Sequence, residues 1–108
     1  MFKDEYRAKV DDFLSYMLAL PTTGQGLVWT ASSEWASLRH AANFAMVALQ
    51  AASLGVRPEE ARGFAARQVH YALGDTGRSF VCGFGTNPPL RPHHSTNLWQ
   101  FFIGVTFP

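Results

Sequence analysis

A chain of 108 residues, 47% hydrophobic and 14% aromatic, packs one small domain or a piece of a larger one, and this composition excludes global disorder. Nine basic residues against eight acidic ones leave a net charge of +1. That balance provides no electrostatic case for nucleic acid or an anionic membrane as partner.

The first ten residues, MFKDEYRAKV, are charged and amphipathic and hold no apolar core of signal-peptide length. Read literally, this is a soluble cytosolic chain; as a piece of a longer protein, it would leave any signal upstream. Phe2, Tyr6, Val10, Phe13, Leu14, Met17 and Leu18 recur at three- and four-residue spacing, which predicts a first helix over about residues 4–20. Pro21 ends it and PTTGQG is a loop. GLVWTA follows as a short strand or an extended segment.

A second helix is predicted over about residues 33–54, capped by Ser32 or Ser33 and stopped at Gly55. Its middle, HAANFAMVALQAA, carries alanine on several faces and reads as buried all round. The third helix starts at Pro58, with Glu59 and Glu60 in the first turn, where the helix dipole favours acids. Ala61, Phe64, Ala65, Gln68, Val69 and Ala72 make its inner stripe and Gly74 closes it. Beyond it, Pro88, Pro89 and Pro92 exclude helix from a long loop rich in turn formers, and the tail LWQFFIGVTFP is apolar but too short to span a bilayer. Three helices and a loop cannot enclose a helix buried on all sides, so packing partners are expected beyond them.

Chemistry-bearing residues are few. Adjacent histidines in an extended loop point to opposite sides, so His93 and His94 do not together grip one metal ion, and no metal site or cofactor is predicted. A histidine bonded to backbone in a turn is the ordinary reading; a hydrogen bond to a polar ligand is the functional one. GFGTN and GDTGRS lack the spacing and the following helix of a phosphate loop. Cys82, the single cysteine, permits neither an internal disulfide nor a paired-cysteine metal motif. Seven of the eight carboxylates belong on solvated helix faces or in first turns, and Asp75 belongs in the turn after a helix, so no pair is placed for acid–base work. Trp29, Trp35, Arg39 and His40 form the other cluster. Trp35 and Arg39 stand four apart on one helix side and make a stacking platform for a sugar or base; a tryptophan that simply anchors the helix fits the spacing equally well.

Three stretches carry a resemblance: WASLRH at the start of the second helix, QVHYALGD at the end of the third, and SFVCGFGTN leading into PPLRPHHS. From about residue 2 to residue 95 the chain resembles glycoside hydrolase family 9, the endo-β-1,4-glucanases, and its animal members most. The resemblance implies an all-α fold, a fragment of an (α/α)6 barrel comprising about three helices and a long cleft loop. It also implies a secreted parent that cleaves cellulose-like β-1,4-glucans with inversion, using a carboxylate that activates water and a carboxylic acid about 6.5–9.5 Å away. The family's base lies in an Asp-Ala-Gly-Asp segment and its acid glutamate lies well downstream of the histidine loop; neither segment occurs in these 108 residues.

By the same resemblance Trp35, Arg39 and His40 line sugar subsites, and His93 hydrogen-bonds the glucose unit near the cleaved bond, the one catalytic-site residue in this chain. The sequence departs from the family at Ser95, where an arginine is expected, and at Cys82, where Val, Ser or Thr is usual. Residues 96–108 form a non-homologous apolar tail. Such a break is expected of a truncated or read-through product or an incomplete gene reading. Without the two carboxyl groups the chain alone is expected to be inactive. The competing reading is a carbohydrate-binding or helical interaction module.

Overall fold

The computed structural model describes residues 2–30 and 37–91, and it contains three helices: α1 (Phe2–Ala19), α2 (Ser37–Ser53) and α3 (Pro58–Leu73). Among the described residues there is no regular strand, and no helix is long and apolar enough to cross a membrane. The predicted start of the second helix falls partly in residues 31–36, outside the described residues.

Helix α2 lays its alanines against α3. Ala41, Ala45, Ala48 and Ala52 recur at the spacing of one helix face and are buried with Ala51. Opposite them lie Ala61, Phe64, Ala65 and Gln68 of α3. Small side chains on both partners allow the near end of the usual interaxial range of about 8–10 Å. The connection is tight: the Val56 N–H donates to the Ala51 carbonyl over 3.0 Å, and Val56 closes the bottom of the core. Arg57 then takes a left-handed conformation, φ 42°, before Pro58 opens α3.

The alanine face is covered, but α2 is not buried all round as its composition predicts. Met46 is 55% exposed, and Leu49 and Leu54 are exposed beside it. Val69, expected in the inner stripe of α3, is 44% exposed. Two helices present only one face to each other, so apolar residues beyond that face stay in solvent unless a further element covers them. Helix α1 shows the same shortfall. Leu14 and Met17 reach the core and Val10 and Leu18 pack on its edge, while Phe2 and Tyr6 in the first turns are exposed.

Two contacts hold α1 in place. Phe13 lies 6.4 Å from the ring of Phe44 on α2 and stacks on Tyr16 at 5.8 Å. Arg57 donates to the Ser15 hydroxyl over 2.7 Å, approaches Asp11 at 3.9 Å and pairs with Glu60 at 2.7 Å. Its side chain thus joins α1 to the first turn of α3. The hydrogen bond that Arg57 donates to Glu60 and the positive charge behind it hold the Glu60 carboxyl below the usual carboxylate range, and the same bond raises the Arg57 guanidinium above its ordinary value.

After α1, Pro21 turns the chain into a small hairpin. Thr22 and Val28 form one antiparallel bridge, Thr23 N–H donates to the Leu27 carbonyl over 2.8 Å, and Trp29 N–H donates to the Pro21 carbonyl over 2.8 Å. The described part of GLVWTA, residues 26–30, is therefore an extended arm with a single bridge at Val28, too short for a strand.

Candidate functional site

The short α2–α3 connection forces the two helices antiparallel, so the first turn of α2 lies beside the last turns of α3. A groove of about 110 Å³ marks the place, lined by Leu38 and Ala42 from α2 and by Gln68, Val69, Ala72 and Leu73 from α3. Residues distant in sequence consequently fall at the same end of the helical hairpin: Arg39 and His40 at the start of α2, and the loop that follows Gly74. Arg39 is exposed and His40 is half-buried. Arg39 enters none of the ion pairs among the described residues. Trp35, Ser95 and His93 lie outside the described residues.

The loop is built on glycine and one buried serine. Gly74 ends α3 at φ 109°, its N–H donating to the carbonyls of His70 and Tyr71. The Asp75 N–H also reaches the His70 carbonyl, over 3.1 Å, and the Asp75 carboxylate lies 3.7 Å from the His70 ring, so Asp75 serves in the helix-ending turn. Ser79 is fully buried. Its N–H donates to the Thr86 carbonyl over 2.6 Å and its hydroxyl accepts from the Val81 N–H over 3.0 Å. Phe80 N–H returns to the Ala72 carbonyl over 2.9 Å, and the Phe80 ring stacks on Tyr71 at 5.8 Å and 14°. Gly85, at φ 81°, lies so close to the helix end that a Cβ there would overlap the Leu73 carbonyl and crowd Ser79 at 3.0 Å. The segment from Gly77 to Arg91 is thus a folded cap on α3. Its outer side presents Phe80, Val81, Phe84 and Leu90, with Cys82 exposed as a free thiol.

The third component is the hairpin arm, and Gln68 joins it to α3. Gln68 is 3% exposed in an otherwise apolar core. Its amide oxygen accepts the Val28 N–H over 2.9 Å and its amide nitrogen donates to the Gly26 carbonyl over 3.2 Å. A glutamine amide offers the same donor and acceptor pair as a peptide group, so it bonds residues 26 and 28 as a neighbouring strand would. Gln25 adds a long contact, 3.5 Å, to the Thr76 carbonyl. Between the arm and α3 runs an open groove of about 250 Å³, bordered by Arg67, His70, Tyr71 and Asp75. Sequence reasoning placed Gln68 in the inner stripe without seeing its partners. The signal was there in the sequence, because a polar amide on a buried stripe requires hydrogen bonds. The central role of Ser79, between two glycine turns, went unread altogether.

Among the described residues no group of three His, Cys, Asp or Glu side chains converges to hold a metal ion. The charged Arg57–Glu60 pair lies at the opposite end of the helical hairpin, where α3 begins. Arg39 and His40 therefore stand at the α2 end nearest the capped end of α3, and no carboxylate pair for bond cleavage is described there.

Three helices in this arrangement define an all-α unit of an (α/α)6 barrel. An endoglucanase from the termite Nasutitermes takasagoensis has the same arrangement, with a TM-score of 0.76 and 49% identity over 82% of this chain and 20% of that one. Endoglucanase 4 of Bacillus sp. (strain KSM-522) is 46% identical over 92 residues, and endoglucanase B of Cellulomonas fimi is 42% identical over 79. The glycosyl hydrolase family 9 profile matches residues 1–100, and the chain belongs to that family. It spans 14% of the Bacillus protein's length and 8% of the Cellulomonas protein's, the matches covering 80% and 68% of the present chain.

Proposed function

We propose that this chain forms one wall of the cleft of an endo-β-1,4-glucanase that hydrolyses cellulose-like chains with inversion. The observation that carries the reading is the convergence at one end of the α2–α3 pair. The first turn of α2, with Arg39 and His40, lies beside the last turns of α3, and the folded loop that precedes His93 in the sequence is seated on that helix end. The names of the relatives, all endoglucanases, supply the substrate class.

In this reading Trp35 offers a flat apolar face to a sugar ring, and Arg39 and His40 supply donors to its hydroxyl groups. His93 hydrogen-bonds the glucose unit next to the cleaved bond. The Gly74–Ser79–Gly85 packing serves this arrangement by giving the loop a rigid base, so that little ordering entropy is spent when the glucan arrives. Inverting hydrolysis needs a carboxylate base and a carboxylic acid, and the family's segments for both are absent from these 108 residues. The chain therefore binds glucan and relies on carboxyl groups elsewhere for proton transfer. The site lies outside the cell in this reading, where a polymeric glucan is met.

Two measurements on the 108-residue chain test this. Cellohexaose titrated into isotopically labelled chain should shift the Arg39 and His40 resonances. Arg39→Ala should weaken binding about tenfold, the value of one charge-assisted hydrogen bond. Carboxymethyl-cellulose should not be hydrolysed. Appreciable turnover, or binding indifferent to Arg39, refutes the proposal.

A further inference from the structure

We propose that the groove between the hairpin arm and α3 is a saccharide-binding site that takes a neutral sugar ring. The groove has a volume of about 250 Å³ and is lined by Gln25 and Gly26 from the arm and by Arg67, His70, Tyr71 and Asp75. Pockets that enclose small molecules begin at roughly 300 Å³, so this groove holds a ring laid along it and leaves the rest of the ligand in water. At about 100° per residue, Arg67, His70 and Tyr71 share one face of α3. Val69, Ala72 and Leu73, which line the groove beside Leu38, lie on the opposite face, so the two grooves are separate surfaces.

The chemistry changes along the groove. At one end the Arg67 side chain folds back over Gly63, its Nη1 3.6 Å from the place a Cβ would occupy there. Its guanidinium enters no ion pair among the described residues. At the other end the His70 ring faces the Asp75 carboxylate at 3.7 Å, and both side chains are exposed. A rise of about 1.5 Å per residue separates Gly63 and His70 by about 10 Å along the helix, with Ala66 between them. Both borders are fixed. Tyr71 is stacked on Phe80, while the Gly26 carbonyl accepts from the Gln68 amide and the Gln25 amide donates to the Thr76 carbonyl.

These groups select by charge. The guanidinium disfavours a cation and the Asp75 carboxylate disfavours an anion, so neither sign gains over the whole length. A neutral ring with several hydroxyl groups satisfies both ends, because its oxygens accept from Arg67 and its hydroxyls donate to Asp75. Tyr71 borders the apolar face of such a ring. A zwitterion matches the two charges, but ion pairs between exposed groups contribute little. The sugar class follows from the groove's own groups; that the sugar is a β-1,4-glucan rests on the reading given above.

Cellohexaose titrated into the isotopically labelled 108-residue chain is the test, read at the Arg67 side-chain N–H, the His70 ring and the Gly26 and Thr76 amides. These signals are expected to shift with a dissociation constant of about 1 mM, the strength of about three hydrogen bonds and one ring contact. Arg67→Ala places a better helix former at an exposed position, so its helices should persist by circular dichroism. Its His70 signal should report binding about tenfold weaker. Unmoved Arg67 and His70 signals overturn the proposal, and so does unchanged binding in Arg67→Ala. Trigalacturonate, an anionic sugar, and triglycine, a zwitterion, should move the same signals less than cellohexaose does; a larger response to either one overturns the assignment of a neutral sugar. Should Arg67→Ala lose its helices, those two comparisons on the unmodified chain decide. The Arg39 and His40 signals keep the two sites apart. Shifts at Arg67 and His70 without shifts at Arg39 and His40 uphold the groove and refute the cleft-wall reading. The reverse pattern rejects the groove alone, and silence at both sites rejects both.

Discussion

Replacing Gly85 by alanine tests the claim that the loop is a folded cap. Gly85 sits at φ 81°, where an L residue is strained by about 1–2 kcal/mol. Its new methyl group would also overlap the Leu73 carbonyl and press on the Cβ of Ser79. Leu73 is backbone, so no rotamer change relieves the overlap and the loop must lift from α3. Lifting breaks the Ser79-to-Thr86 and Phe80-to-Ala72 hydrogen bonds, at about 1 kcal/mol net each. Together the strain and the lost bonds come to about 3–4 kcal/mol of local stability, a change of roughly a hundredfold or more in the opening equilibrium.

Gly83 is the control. It has a similar φ of 70° and nothing within 4 Å of an added Cβ, so Gly83→Ala bears only the conformational strain. Amide hydrogen exchange reads the difference directly. Protection at Ser79 and Phe80 should fall by roughly a hundredfold or more in Gly85→Ala and by no more than about 5- to 30-fold in Gly83→Ala. Equal protection in the two variants would show that the close approach to Leu73 carries no energy, and the cap reading would be wrong.

The buried helix faces give a second expectation. Phe64→Ala should cost about 3–5 kcal/mol in urea denaturation, and Ala48→Leu about 1–3 kcal/mol because the alanine face has no room for a larger side chain. A neutral Ala48→Leu would refute close packing there. The Arg57–Glu60 pair yields a pH dependence. The carboxyl of Glu60 lies below its ordinary value in the folded chain, so its contribution is whole above that ordinary value and is lost as pH falls through the depressed one. The stability gap between the unmodified chain and Glu60→Gln should therefore close between neutral pH and pH values below the ordinary carboxylate range; a gap constant with pH contradicts the pairing. Exposed Phe2, Tyr6, Met46, Leu49 and Leu54 should make the chain bind a hydrophobic dye and self-associate with rising concentration. Sedimentation as a monomer without dye binding would show those faces to be covered.

Helix positions were legible because their signals are local. Apolar spacing placed α1 to within a couple of residues, and Pro58 and Gly74 bounded α3. Which faces are covered was not legible, because burial depends on what stands opposite. The alanines of HAANFAMVALQAA mark close packing but do not say on how many sides, and α3 covers one. Val69 shares the periodicity of the inner stripe and is still 44% exposed, because it lines an open groove opposite Leu38 and Ala42 rather than the alanine face of α2.

The sequence by itself determined three helices, their stops, the proline-stiffened loop and the family to which the chain belongs. The motifs that carry the family are contiguous, and contiguous motifs are readable without a fold. The tertiary structure decided what meets what. It brought the start of α2 to the end of α3, clamped the hairpin arm with Gln68, and seated the loop on Ser79 between two glycines. Those contacts join residues up to 42 positions apart, and hydrogen-bond geometry of that kind exists only once antiparallel packing has put the partners within 3 Å or so of each other. The loop from Gly77 to Arg91 is accordingly stiff for two reasons: Pro88 and Pro89 limit its backbone, and the helix beneath it leaves no room for a side chain at Gly85.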